Sequence, residues 1–190
     1  MIAVTHADRE MIATAYHEAG HATVAVWLGL QLARVELTPD HPVHSGCCWE
    51  KVDDPHALCI AVELGDEKVI RPQIKILLAG WAAQQKSGFD DVPGGDSYDL
   101  EIALKVAMLM VGCTSKAEEL LDQLRNDTRR LLDVPAVWAG VEALANELIR
   151  EGTVWGERAH RILNEARPFR SHDAPPGPFT AGLQRAGTGW

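Results

Sequence analysis

The sequence has no long apolar run: none approaches the ~20 consecutive residues that a bilayer-crossing helix needs. Met1 to Glu10 mixes Asp8, Arg9 and Glu10 with apolar residues and lacks the plan of a signal peptide, so a cytoplasmic location is expected. Thiols are few. Cys47, Cys48, Cys59 and Cys113 contain no Cys-x-x-Cys pair, and adjacent Cys47 and Cys48 cannot readily bridge each other. Reduced cysteines are therefore expected, and a thiolate-built zinc site is not, because such sites draw on closely spaced cysteine pairs. Positive charge is also short. Lys and Arg number 18 against 27 Asp and Glu, a formal charge of -9 that turns away polyanions, so neither nucleic acid nor an anionic membrane is an expected partner. There is no internal repeat.

What is present suits one domain. The 46% hydrophobic fraction is enough for a core in a chain of 190 residues. Residues 8–28 lack proline and place Ile12, Tyr16, Ala19, Thr23, Val26 and Leu30 at three- and four-residue steps, which predicts a helix with one buried stripe ending near Gly29. Residues 32–37 alternate as a strand, Pro39, Asp40 and Pro42 make a turn, and 44–52 can pair back despite Gly46. Residues 55–65 fit a short helix or an extended segment equally well. A helix over about 69–85 puts Ile70, Ile74, Leu77, Leu78, Trp81 and Ala82 on one face, with Pro72 near its first turn. After a polar loop over 88–95, a further helix buries Leu100, Ala103, Leu104, Ala107, Met108 and Val111 and stops at Gly112. Two or three further helices are predicted, over 115–132, 135–150 and 154–167, with Gly152 closing the second and Thr153 able to cap the last. Beyond Arg167 the composition turns to proline and glycine. The expectation is a mainly α (α+β) domain over 1–167 with a two- or three-stranded sheet, and a tail over 168–190.

Chemistry concentrates in Tyr16-His17-Glu18-Ala19-Gly20-His21-Ala22, an H-E-x-x-H sequence inside the first helix. Residues four apart lie on one helical face, one turn up, so two imidazoles can reach one tetrahedral zinc ion. The residue after the first histidine is rotated by about 100°. That sets the Glu18 carboxylate beside the metal, where it can take a proton from a water acidified by the ion. The competing reading is an accidental match in a chain with eight histidines. A catalytic zinc site needs a third protein ligand, and His41, His44, His56, Asp90, Asp91, Asp96 and Asp99 are all candidates.

The stretch around His17 and His21 resembles the active-site helix in the peptidase domain of FtsH-type ATP-dependent proteases. Leu77-Leu78-Ala79-Gly80-Trp81-Ala82-Ala83-Gln84-Gln85 is similar to a family helix that carries two glycines, two alanines and two acidic residues. Gly94-Gly95-Asp96-Ser97-Tyr98-Asp99-Leu100 resembles the family segment that supplies the third zinc ligand, which implies Asp99 for that role. An aspartate in a helical first turn is favoured by the orphan N–H groups in any case, and the two roles are compatible. The likeness covers about residues 8–167 and implies an FtsH-peptidase-like helical zincin domain. This chain departs from the family at Gln84, Gln85, Trp81 and Tyr98, and its 190 residues contain no G-x-x-x-x-G-K-[ST] phosphate loop. ATP-driven unfolding and membrane anchoring are therefore not carried over.

Together these readings imply a zinc-dependent endopeptidase with Zn2+ held by His17, His21 and Asp99, and Glu18 as general base. Its expected substrates are flexible polypeptides or one dedicated partner protein, lying extended beside an edge strand over 44–52. A homo-oligomer and a separate ATPase that delivers substrate are partners compatible with the family likeness. The alternative is an idle metal-binding module that serves protein interaction, or a plain helical domain. Tyr16 is expected to pack on the core, Trp27, Trp49, Trp81, Trp138 and Trp155 to anchor core or interface, and His160 and His172 to lie on the surface.

Overall fold

Among the described residues nine elements follow one another: α1 (His6–Trp27), β1 (Leu32–Leu37), β2 (Gly46–Glu50), α2 (Glu67–Lys86), α3 (Asp96–Val111), α4 (Thr114–Leu132), α5 (Pro135–Glu151), β3 (Thr153–Trp155) and α6 (Gly156–Ala166). They come from a computed structural model that describes residues 6–37, 46–50, 66–89 and 96–166. The ambiguous stretch over 55–65 and the tail over 168–190 lie outside the described residues. The mainly helical expectation with a small sheet holds.

α1 ends where Gly29 takes φ 92°. The Gly29 N–H donates to the Val26 carbonyl at 3.1 Å and the Leu30 N–H to that of Ala25 at 3.0 Å, which closes the helix in a Schellman motif. The expected single stripe is too narrow a description of this helix. Ala13, Ala15 and every residue from His17 to Ala25 are buried, because α2 packs on one side of α1 and α5 on another.

α2 is capped by Asp66, whose carboxylate accepts the Lys68 N–H at 3.0 Å. It starts at Glu67, two residues earlier than expected, so Pro72 stands inside the helix just beyond its first turn. It also buries two faces, not one. Ile76, Ala79, Ala82 and Ala83 join the main core with α1, α5 and α6, while Ile70, Ile74 and Leu78 meet Ala103 and Ala107 of α3 and Leu120, Leu121 and Leu124 of α4 in a second cluster. α2 is thus the partition between two cores. On α3 the stripe lacks one expected member, since Met108 is 38% exposed while Val111 beyond it packs on the second cluster.

The sheet runs β2-β1-β3, antiparallel throughout. Its third strand corrects the expectation that a last helix begins at 154 with Thr153 as cap. Gly152, at φ 71°, turns the chain out of α5, and Thr153, Val154 and Trp155 pair with Glu36, Val35 and Arg34. β-branched and aromatic residues suit that extended backbone, and Val154 fills the core beside Val35. Trp155 is 64% exposed instead of anchored. His160 is not a plain surface residue either: its Nε2 accepts the Leu32 N–H at 3.2 Å and ties α6 to the start of β1.

Candidate metal centre

α1 presents His17, Glu18 and His21 in its buried middle, at 4%, 5% and 7% exposure. Carboxylate and imidazole side chains are seldom that buried without a partner that offsets lost hydration. For the histidines the partner comes from α3. Asp99 Oδ2 stands 3.0 Å from His17 Nε2 and 3.0 Å from His21 Nε2, and the two Nε2 atoms are 2.9 Å apart. Of the candidate third ligands, the structure brings Asp99 to the histidine pair. His41, His44, His56, Asp90 and Asp91 lie outside the described residues, as does the side chain of Asp96.

The protonation of this triangle can be argued from its rim. His21 Nδ1 is 2.7 Å from the carbonyl oxygen of Ile76. A carbonyl only accepts, so Nδ1 carries the hydrogen and the neutral ring points the Nε2 lone pair at His17 and Asp99. Protonating the ring does not satisfy the cluster. An imidazole nitrogen holds at most one hydrogen and, once protonated, has no lone pair left to accept, so no distribution of protons gives all three edges a hydrogen bond. Three inward-facing lone pairs are instead the donor set of a cation. Two imidazole nitrogens and one carboxylate oxygen, all within 4.8 Å of one another, match the protein ligands of a catalytic zinc site with one position left open. The residues fit the ion.

Without an ion the cluster holds a proton instead, which a bound metal must displace. Burial by itself would lower the pKa of His21, but the hydrogen bond and charge of Asp99, with the nearby charge of Glu18, raise it to about 9 in the metal-free protein. Burial would raise that of Asp99, and the bonds from His17 and His21 overcome it, leaving the carboxyl well below the usual range. Asp99 is an anion, as a ligand must be. Its helix begins at Asp96, so the first-turn position expected for it stands.

Tyr16, which precedes His17 in the chain, packs among aromatic rings. Tyr16 stacks on Phe89 and on Trp138, with centroids 6.4 and 5.9 Å apart, and packs against the core as expected. Arg9 lies over the Phe89 ring and Lys86 over Trp138. Gln84, one of the departures from the family pattern, donates its amide to the Phe89 carbonyl at 3.0 Å. These contacts hold the chain where it leaves α2 toward Asp99. Trp81, another departure, is covered by Arg125 and Arg129.

Sequence reasoning missed two features of the centre. One is the Ile76 carbonyl that orients His21, and no side-chain pattern announces a main-chain acceptor. The other is Gly80, whose position inside an apolar helix was a readable sign of close backbone approach.

A mainly helical domain that gathers two histidines and an aspartate beside a buried glutamate has the makings of a metallopeptidase-like module. No family model matches the chain. It is similar to the ATP-dependent zinc metalloprotease FtsH of Rubrobacter xylanophilus, at 27% identity over 202 aligned positions that cover 83% of this chain. The chain spans only 29% of that relative's length. The relationship is distant and FtsH-like. Among the described residues no helix is long and apolar enough to cross a membrane.

Proposed function

We propose that this chain is a zinc-dependent endopeptidase that hydrolyses peptide bonds in flexible polypeptides or in a dedicated partner protein. The observation that carries the reading is the convergence of His17 Nε2, His21 Nε2 and Asp99 Oδ2, with Glu18 buried next to the first of them. That donor set alone also suits iron(II). A carboxylate placed to take a proton, together with the likeness to a zinc metalloprotease, favours zinc and hydrolysis.

When bound, zinc polarises the scissile carbonyl and makes a neighbouring water more acidic. Glu18 accepts the proton of the attacking water and hands it to the leaving amine. Asp99 contributes the negative charge of the ligand set, and the Ile76 carbonyl keeps His21 in the tautomer that presents Nε2. Because β1 lies between β2 and β3, β2 is an edge strand among the described residues. An extended substrate pairing there would be held by its backbone, without a demand on sequence.

These 190 residues hold no phosphate loop, and flexible segments, rather than tightly folded proteins, are the substrates this domain would cleave by itself; a separate ATPase that delivers substrate is part of the proposal. A cytoplasmic enzyme that engages neither nucleic acid nor an anionic membrane fits the acidic charge, and a homo-oligomer fits the family likeness. The test compares the parent with Glu18→Gln at equal zinc content on an unfolded protein substrate. A general base contributes roughly 10²–10⁴ in rate. A fall of that size with zinc retained supports the enzyme. Equal turnover by both proteins leaves the alternative, a metal-binding module for protein interaction.

A further inference from the structure

We propose that Gly80 is a positioning residue of the metal centre, which it shapes by bringing the bare backbone of α2 against the two imidazoles. The inference rests on the metal reading above and assigns its inner wall. A Cβ added at Gly80 would fall 2.6 Å from His17 Nε2, 2.7 Å from His17 Cδ2 and closer still to His21 Nε2. Real Cβ atoms essentially never come within 3.0 Å of such neighbours. The rings have nowhere to retreat: both are buried, and His21 is tied through Nδ1 to the Ile76 carbonyl at 2.7 Å.

Ile76 and Gly80 are four apart, one turn of the same helix. That turn therefore meets His21 at both ring nitrogens, a carbonyl oxygen at Nδ1 and a side-chain-free Cα beside Nε2. A carbonyl alone would fix the tautomer; the missing Cβ leaves the space in which Nε2 can turn toward His17 and Asp99. Main chain thus walls this side of the cluster. Side-chain exposure is 5% at His17, 10% at His21 and 17% at Asp99, so the aspartate is the least enclosed of the three.

The test is a pair of measurements on the full chain. In the first, Gly80→Ala is made in the parent and in a His17→Ala/His21→Ala background, and all four proteins are melted in chelator. The expected result is a lowered Tm in the parent and an unchanged or raised Tm in the background, where the rings are gone and alanine is the better helix former. An equal fall in both backgrounds, or no fall in the parent, overturns the proposal. If Gly80→Ala does not fold by itself, recovery of a cooperative melt in the ring-free background supports the proposal and its absence overturns it. In the second, zinc affinity of folded Gly80→Ala is set against the parent. Disturbing the support of metal ligands typically costs 10–100-fold in affinity, and a loss toward about 100-fold is expected here; an unchanged affinity refutes the assignment. A parent chain that binds no zinc would defeat the metal reading, while the coupling between Gly80 and the rings would still be decided by the melts.

Discussion

The crossing of α1 and α2 carries both the main core and the metal centre, and Gly20→Ala is the change that strains it most directly. A Cβ at Gly20 would stand 2.6 Å from the Ala79 carbonyl oxygen and 2.6 Å from the Ala83 Cβ. Neither neighbour is the end of a flexible side chain, so the helices themselves must part. Overpacking of this kind costs about 1–3 kcal/mol, and a backbone obstacle argues for about 3 kcal/mol. Alanine returns about 1 kcal/mol through its better helix propensity. The net loss of about 2 kcal/mol corresponds to a Tm lowered by roughly 4–8 °C for a domain of this size. The ligand histidines sit on α1 and their wall on α2, so zinc should bind more weakly as well. Thermal melts with and without chelator, followed by a zinc titration with a competing chromophoric chelator, measure both effects. A Tm equal to or above that of the parent would refute the claim that the two backbones touch at Gly20.

Other perturbations have equally definite outcomes. Leu148 is fully buried in the main core, so Leu148→Ala should cost about 2–5 kcal/mol in urea-denaturation midpoints. Gln84→Glu restores an acidic residue but sets a carboxylate against the Phe89 carbonyl that Gln84 now donates to; a loss of about 1–3 kcal/mol at neutral pH is expected, diminishing in acid as the carboxyl protonates. The metal-free protein should be pH-sensitive on the alkaline side. His21 is raised from 6.5 to about 9, so its stabilisation is complete below pH 6.5 and is lost as pH climbs through 9. Zinc requires the unprotonated ring, so Tm of the chelated protein should fall over that window while the difference between loaded and chelated protein grows; parallel curves would contradict it.

How far the sequence foretold these features depends on whether their cause is local. β1 was legible to its limits because alternation and flanking turns lie within the strand itself, and α1 and α5 could be bounded from the glycines at 29 and 152. β3 was not: three residues are too few to show a period, and their extended form is imposed by pairing with a strand more than 100 residues earlier. Likewise nothing in α2 alone says that two of its faces are buried, since that depends on α3 and α4 arriving on the side away from α1. The site divides the same way. His17, Glu18 and His21 could be read from one helical turn. Asp99 lies 78 residues from His21, so its proximity was suggested only through the family resemblance. The hydrogen-bond role of Ile76 is carried by its main chain, which every residue shares.

Zinc stoichiometry and ligand geometry test the centre most directly. The parent, purified without added metal and reconstituted to saturation, should hold one tightly bound zinc per chain, with X-ray absorption showing two imidazole nitrogens and a carboxylate oxygen at about 2.0–2.2 Å. His17→Ala, His21→Ala and Asp99→Ala should each abolish that tight site. A folded parent that takes up no zinc, or a zinc retained with unchanged affinity in all three variants, would contradict it.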